Sequence, residues 1–286
     1  MKAEAPTLRM PGARAWRTGL LYLGLFAAFL WAVFPFYWMV VTSLRPESEL
    51  FARPPSLLPR EITFEHYVGL LVGAGFWRNA LNSLFLTVVV TGFSILVSLT
   101  AGYALARYRF RGSTVLPALM LYGQMFPAVL LLIPFFLQFR AFGWMDSLWA
   151  LALVYLSYML PLCVWLMRGF FAQVPFALED AARMDGCTRW QAFWLVIVPM
   201  ARPGIIAVAT WSMIHAWNEF LFAATLISSA EKRTLPLGLS GLIGQHTTDW
   251  GMLMAGGVLT ALPIVAVFFA LQRHLVSGLG AGGVKG

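Results

Sequence analysis

Charged residues and cysteines are scarce in this sequence. Only 11% of its 286 residues are Asp, Glu, Lys or Arg, whereas 60% are hydrophobic. A soluble domain of this size needs far more charged surface, so the composition excludes an ordinary soluble globular protein. The two cysteines, Cys163 and Cys187, make no disulfide framework, and neither has metal-ligating neighbours along the chain.

Motifs for catalysis and nucleotide binding are also missing. There is no glycine-rich loop followed by Lys and Ser or Thr, which excludes ATP binding by the Walker-type route. The four histidines are scattered, no group of His, Cys, Asp and Glu has metal-ligand spacing, and no nucleophile has a base beside it. We therefore expect no catalytic residue, metal site or cofactor in this chain, and we predict that it is not itself an enzyme.

Long hydrophobic runs dominate the sequence instead. Because a membrane-spanning helix needs about 20 mostly apolar residues, these runs predict an all-α polytopic membrane protein with six transmembrane helices. The predicted spans cover residues 16–42, 80–106, 114–138, 148–171, 204–227 and 251–272. Together they form one transmembrane domain, residues 16–275, between an N-terminal tail (1–15) and a C-terminal tail (276–286).

Basic residues predict the orientation of these spans. The formal charge of +8 comes from short basic tracts between apolar runs, which indicates anchoring of spans rather than nucleic-acid binding. With the N-terminus inside, most of the 20 lysines and arginines fall on the cytoplasmic side. Both termini and the polar segment 172–203 are therefore predicted to face the cytoplasm.

The polar segment 172–203 has the pattern of two short helices with a break. Pro175 suits a helix start, and Phe176–Asp185 contains good helix formers. Gly186 is expected to take the left-handed conformation that ends a helix. A second helical stretch, Cys187–Val198, ends near Pro199, so the segment is predicted to be an amphipathic elbow between two spans.

Polar residues inside the spans are candidates for a translocation path, because they are costly in lipid and usually face a cavity. These candidates are Asn82, Gln124, Trp211, His215, Trp217, Asn218 and Glu219. His215 and Glu219 are four residues apart on one helix face. A wet, aromatic-lined face suits a sugar, whose ring stacks on Trp while its hydroxyls bond amide and carboxylate groups. The alternative is an interhelical hydrogen-bonded pair that only holds the helices together.

The elbow motif EDAARMDG, followed by Val198-Pro199, resembles the cytoplasmic coupling loop of ABC importer permeases. Further motifs extend the resemblance over nearly the whole chain beyond the first span: residues 78–83 (RNALNS), 101–107 (AGYALAR), 216–220 (AWNEF), 234–236 (TLP) and 278–286. On these motifs the chain resembles carbohydrate ABC importer permeases of the maltose/trehalose type, specifically the second, shorter (G-type) subunit. The type I ABC importer permease fold is implied.

This resemblance implies several partners and contact residues. The coupling loop would dock on a homodimeric cytoplasmic ATPase that binds Mg-ATP, with Glu179 pairing a basic residue there. The implied docking residues are Glu179, Asp180, Ala181, Ala182, Asp185, Gly186 and Pro199. An extracytoplasmic sugar-binding protein would contact Thr234, Leu235, Pro236, Leu237 and Gly238. The tail residues Gly282, Gly283, Val284, Lys285 and Gly286 would face the ATPase.

The resemblance further implies a longer second permease, a lipid environment and a bacterial or archaeal plasma (inner) membrane location, with no nucleic-acid partner. The function implied is ATP-driven import of maltose- or trehalose-type glucosides. Two alternatives stay open at this point. One is an ABC permease for another solute, such as glycerol phosphate or a different oligosaccharide. The other is an ion-coupled secondary transporter, which would need carboxylates at matched positions of two halves.

Overall fold

The structure, a computed structural model, describes residues 11–244 and 248–280. These residues are mostly helical, as the sequence predicted. The predicted tail contacts Gly282, Gly283, Val284, Lys285 and Gly286 lie outside the described residues.

Fourteen α-helices follow one another in the described part of the chain. The first seven are α1 (Pro11–Ser43), α2 (Glu47–Leu50), α3 (Glu65–Val68), α4 (Phe76–Arg107), α5 (Val115–Gln124), α6 (Ala128–Ala141) and α7 (Leu148–Gln173). The others are α8 (Phe176–Met184), α9 (Arg189–Ala192), α10 (Val198–Met200), α11 (Arg202–Asn218), α12 (Leu221–Leu226), α13 (Leu235–Ser240) and α14 (Trp250–Gly280). Two π-helical turns, Gly69–Gly73 and Phe193–Ile197, and a 3₁₀ turn, Ala230–Lys232, complete the helical elements.

Four described helices are each long and apolar enough to cross a membrane: Trp16–Ser43, Phe76–Arg107, Leu148–Gln173 and Trp250–Ala270. Two bent helix pairs, Val115–Gln124 with Ala128–Ala141 and Arg189–Met200 with Arg202–Asn218, raise the number to six if each pair is one span. The count of six predicted spans therefore depends on these two broken elements.

The predicted span 114–138 is not one straight helix, because α5 and α6 meet at an angle of 96°. Pro127 lies at the break and has an extended backbone, with φ −60° and ψ 125°. A proline has no N–H for the helix ladder, and it disfavours helical geometry in the residue before it. By contrast, Pro134 and Pro161 lie inside continuous helices, α6 and α7.

The predicted span 204–227 also differs from the structure. Helix α11 stops at Asn218, Glu219 adopts an extended backbone (φ −69°, ψ 129°), and α12 begins at Leu221. The apolar composition on both sides of Glu219 hid this interruption, since hydropathy averages over the break.

Helices α4, α7 and α11 pack together and form two buried clusters at different positions along α4 and α7. One cluster, nearer the start of α7, includes Leu86, Tyr155 and Phe222. The other lies beside the elbow and includes Tyr103, Phe171 and Phe193. The elbow thus shares a hydrophobic core with the bundle.

Helix α1 stands apart from this core and packs against α14. From residue 16 to residue 36 every side chain of α1 is exposed, and Trp31 is 85% exposed. An apolar helix surface of this length needs lipid or another membrane protein around it.

Helices α4 and α7 approach each other closely at Gly102. A Cβ atom at Gly102 would lie 3.0 Å from both the Arg168 nitrogen and Met167 Cβ, whereas a Cβ at Gly92 of the same helix would meet nothing within 4 Å. Gly102→Leu is expected to destabilise the protein by about 1–3 kcal/mol through overpacking. Gly92→Leu is the control and is expected to change little. Thermal unfolding of the purified protein in detergent measures both variants, and equal effects would contradict the packing account.

Candidate functional site

The elbow folds as two helical pieces separated by a glycine turn. Pro175 precedes α8 with an extended backbone (φ −61°, ψ 136°). Gly186 follows α8 with a φ of 91°, which confirms the predicted left-handed turn. The Thr188 hydroxyl then accepts a hydrogen bond from the Gln191 N–H, and the Gln191 side chain accepts one from the Thr188 N–H, which starts the second piece. Pro199 is half-buried and lies in the short helix α10, at the end of the second piece.

Glu179 points from α8 toward the end of α4. Its Oε1 accepts a hydrogen bond of 2.6 Å from Tyr103 Oη, and its Oε2 lies 3.3 Å from Arg107 Nε in an ion pair that lacks hydrogen-bond alignment. The Glu179 side chain is 14% exposed. Both carboxylate oxygens therefore contact residues of the same chain, and the pairing of Glu179 with a partner's basic residue stays a prediction.

Other residues form the outward surface of α8. Asp180, Ala181 and Asp185 are exposed, whereas Ala182 is buried. Met184 is 88% exposed, and methionine is enriched at protein interfaces. Met184 was not among the docking residues that the sequence predicted. The sequence feature that could have identified Met184 is an apolar side chain in a polar segment, directly before Asp185.

A cavity of about 330 Å³ lies beside α7 and the end of α11. Its lining includes Tyr155, Tyr158, His215, Asn218 and Glu219. The structure thus brings three of the polar residues predicted for a translocation path into one cavity. Both tyrosines were missed, because α7 looked uniformly apolar and its distance to α11 is not visible in the sequence.

Within this cavity Glu219 also stabilises the chain break after α11. Its Oε1 accepts a hydrogen bond of 2.8 Å from the Phe222 N–H, and its Oε2 accepts one of 3.2 Å from the Ala223 N–H. Glu219 therefore acts as a cap for the first turn of α12. In the part of the chain that the structure describes, no group of three or more His, Cys, Asp or Glu is placed to hold a metal ion.

The two candidate tryptophans of α11 have different surroundings. The Trp211 ring lies against His215, with 4.3 Å between ring centroids. Trp217 is buried, and its Nε1 donates a hydrogen bond of 3.0 Å to the Thr260 carbonyl on α14. Trp211 is thus next to a cavity residue, whereas Trp217 joins two helices.

Gln124 and Asn82 lie in two separate places. Gln124 Nε2 donates a hydrogen bond of 2.7 Å to the carbonyl of Tyr158, a cavity-lining residue. Asn82 Nδ2 donates to the carbonyls of Glu231 and Arg233, at 2.8 and 2.9 Å. Asn82 therefore holds the loop after α12 against α4.

The predicted contact loop Thr234–Gly238 is attached to α4 by further contacts. The Leu235 N–H donates a hydrogen bond of 2.8 Å to Ser83 Oγ, 152 residues earlier. A Cβ at Gly238 would collide with Asn79 Nδ2. The RNALNS and TLP motifs are therefore in direct contact.

Asp146 ties the same loop to the connection between α6 and α7. Its Oδ1 accepts hydrogen bonds of 2.9 Å from the N–H groups of Ser228 and Ser229, and its Oδ2 lies 3.1 Å from Lys232 Nζ. The hydrogen bonds from the Ser229 and Ser228 amides, with that from Lys232, hold the pKa of Asp146 well below its usual value.

Comparison with known proteins links this geometry to transport. A family described as "Binding-protein-dependent transport system inner membrane component" matches residues 94–280. The chain is 39% identical to the diacetylchitobiose uptake system permease of Streptomyces coelicolor, covering 90% of this chain and 94% of that protein. It is 35% identical to the trehalose transport system permease of Mycobacterium tuberculosis, covering 90% and 93%. It is 32% identical to the trehalose/maltose transport system permease of Thermococcus litoralis, covering 93% and 96%.

Solved structures match the same architecture. A chain of a bacterial ABC transporter involved in import of the acidic polysaccharide alginate aligns with a TM-score of 0.79 at 25% identity, covering 94% of this chain and 99% of that chain. A chain of an alginate ABC transporter in complex with its alginate-bound periplasmic protein aligns with a TM-score of 0.67 at 18% identity, covering 93% of this chain and 98% of that chain. The second match supports the fold alone.

The turn at Gly186 generates one prediction. A Cβ at Gly186 would meet nothing within 4 Å, so only its φ of 91° opposes a side chain. Gly186→Val is expected to cost about 1–2 kcal/mol, which lowers the hydrogen-exchange protection of the α8 amides roughly 5- to 30-fold. Gly186→Asn is the control, because Asn tolerates the left-handed region better. Unchanged protection of the α8 amides in the valine variant would show that the left-handed conformation of Gly186 does not determine the stability of the elbow.

Asp146 generates a pH-dependent prediction. Its folded-state pKa is depressed, so its contribution to stability is present above the unfolded pKa of 3.8 and is lost as pH falls below it. Asp146→Asn is expected to lower the unfolding free energy by about 1–3 kcal/mol at neutral pH, and the difference from wild type is expected to shrink below about pH 4. Thermal unfolding across this pH range measures it, with the exposed Glu61→Gln as control. A pH-independent difference would contradict the assignment.

Proposed function

This chain belongs to the family of inner-membrane components of binding-protein-dependent transport systems, and on that premise we propose that it carries an oligosaccharide, of the maltose or trehalose class, through the membrane. Family membership makes it a permease subunit of an ABC importer and not an enzyme. It also excludes the ion-coupled secondary transporter, which was one of the two alternatives that the sequence left open.

The cavity beside α7 and α11 is the observation that carries the proposal of a sugar cargo. Tyr158 gives it aromatic surface, with Tyr155 buried in its wall, and His215 and Asn218 give it hydrogen-bonding groups. Sugars are recognised by this combination, because the ring carbons pack on aromatic faces while the hydroxyls need both donors and acceptors. A phosphate-bearing solute would favour arginine or lysine in the lining.

The names of the relatives support the same class of cargo. They include permeases for diacetylchitobiose, trehalose, trehalose/maltose and arabino-oligosaccharides. These substrates share glycosidic linkages and hydroxyl-rich rings. A glucoside of two or more rings is therefore our first candidate cargo.

The proposed assembly contains a longer permease, a homodimeric cytoplasmic ATPase that binds Mg-ATP, and an extracytoplasmic sugar-binding protein. The elbow, with Asp180, Met184 and Asp185 on its outward surface, would dock on the ATPase. The loop Thr234–Gly238 would face the binding protein, together with the end of α4 and the Asp146 connection that hold it. Both chain termini would lie in the cytoplasm of a bacterial or archaeal cell.

Transport follows from differential affinity in this proposal. ATP and the loaded binding protein favour different conformations of the permease pair, and that difference shifts the cavity from one side of the membrane to the other. Within this chain, α8 receives the movement of the ATPase. Helices α7 and α11 change the exposure of His215 and Asn218 to the two aqueous compartments.

The proposal is tested by co-expressing this chain with the permease, ATPase and binding protein encoded by neighbouring genes and reconstituting the complex. Trehalose, maltose, diacetylchitobiose, an arabino-oligosaccharide and glycerol 3-phosphate are compared as stimulants of ATPase activity. Stimulation is expected from a glucoside and only when the binding protein is present. An intact complex that responds to glycerol 3-phosphate alone, or to none of the sugars, would overturn the cargo assignment.

Asn218→Ala is expected to raise the transport KM roughly threefold to tenfold, since one neutral hydrogen bond contributes about 0.5–1.5 kcal/mol. Thr225→Ala, which removes a hydroxyl of a half-buried residue that bonds the Leu221 carbonyl of its own helix α12, is the matched control. Uptake of radiolabelled sugar into proteoliposomes gives both values. An unchanged KM for Asn218→Ala would remove Asn218 from the path.

A further inference from the structure

We propose that Tyr103 and Arg107, at the end of α4, form with Glu179 an internal tether that transmits movement of the coupling helix α8 to the transmembrane bundle. This inference rests on the proposed function for its meaning in transport. It adds two positioning residues that the elbow motif does not contain, and it gives Glu179 a partner within its own chain.

Three contacts define the tether. Tyr103 Oη donates to Glu179 Oε1 at 2.6 Å, Arg107 Nε lies 3.3 Å from Glu179 Oε2, and Arg107 Nη2 donates to the Val174 carbonyl at 2.9 Å. The Arg107 Cζ also lies 4.2 Å from the centroid of the Phe176 ring. One arginine therefore contacts Val174 between α7 and α8, the first residue of α8 and the carboxylate one turn further along.

Burial separates this ion pair from ordinary surface pairs. The side chains of Arg107 and Glu179 are 3% and 14% exposed. A surface pair contributes little because water screens it, whereas removal of one partner from a buried pair leaves an uncompensated charge. The geometry of α8 relative to α4 is consequently maintained by a contact that is costly to break.

Tyr103 extends the tether to both sides of the elbow. Its ring makes an edge contact with Phe171 at the end of α7, at 5.7 Å between centroids. It also contacts Phe193 in the second piece of the elbow, at 4.7 Å. The hydroxyl group of the same side chain bonds Glu179 in α8. Tyr103 thus joins α4, α7, α8 and the second elbow piece at one point.

Helix α4 is suited to pass such a movement on. It packs along α7 and α11, the helices that border the cavity, and it approaches α7 at backbone distance at Gly102, one residue before Tyr103. A displacement of α8 that is fixed to Tyr103 and Arg107 must therefore move α4 or break the buried pair. If Glu179 contacted only the ATPase, α4 would lose these two polar contacts with α8 and keep the packing of Arg107 on Phe176.

Charge exchange within the pair gives a decisive test. Arg107→Glu, Glu179→Arg and the double variant are reconstituted in the importer, and sugar transported per ATP hydrolysed is measured at equal amounts of assembled complex. Each single variant is expected to lower this ratio at least tenfold, and the double variant is expected to recover most of it. A normal ratio for Arg107→Glu, or a double variant no better than Glu179→Arg, would overturn the tether.

A milder pair of variants addresses the case in which charge reversal prevents folding. Tyr103→Phe removes only the hydroxyl group that bonds Glu179, and Tyr108→Phe removes a nearby exposed hydroxyl as control. Tyr103→Phe is expected to lower sugar transported per ATP about threefold without changing ATPase association in a pull-down. Identical behaviour of the two variants would contradict the proposal.

The tether can fail separately from the proposed function. If wild-type ATPase activity responds to no sugar, the cargo assignment fails, and the tether is then judged by thermal unfolding of the wild type and the three charge-exchange variants. Recovery of the midpoint in the double variant supports the pair, whereas additive losses overturn it.

Discussion

The close contact of α4 with α7 and the elbow is the constraint on which the rest of this structure depends. Gly102 lets the two helix backbones meet, and Tyr103, the next residue, binds Glu179 of the elbow together with Arg107. At its other end α4 holds the loop after α12 through hydrogen bonds of Asn82 and Ser83. One helix therefore contacts both the elbow and the opposite loop, so neither moves independently of it.

Motifs that are distant in sequence meet in pairs along this helix. The AGYALAR motif, which contains Arg107, contacts the elbow motif, and RNALNS contacts the TLP loop. Each pair joins polar groups that are costly to leave unsatisfied in a membrane environment. These contacts account physically for the polar residues of both motifs near the ends of a long apolar helix.

Two breaks in the helices, after Asn218 and at Pro127, lie close to residues of the cavity. His215 and Asn218, in the last turn of α11, line the cavity, and Glu219 accepts hydrogen bonds from N–H groups of the first turn of α12. The bend at Pro127 brings Gln124 to the Tyr158 carbonyl. At the break after Asn218 the irregular backbone lines the cavity, which is where membrane proteins tolerate it.

The sequence by itself determined the all-helical membrane class, the approximate spans and the elbow with its turn at Gly186, because hydropathy, proline and glycine act locally. Only the tertiary structure decided which polar side chains meet. The partners of Glu179 lie 72 and 76 residues earlier, as the contacts with Arg107 and Tyr103 show, and Tyr158 joined the cavity through packing of α7 beside α11. No periodicity encodes such pairings, since they depend on which helix faces are apposed and on breaks that hydropathy does not register.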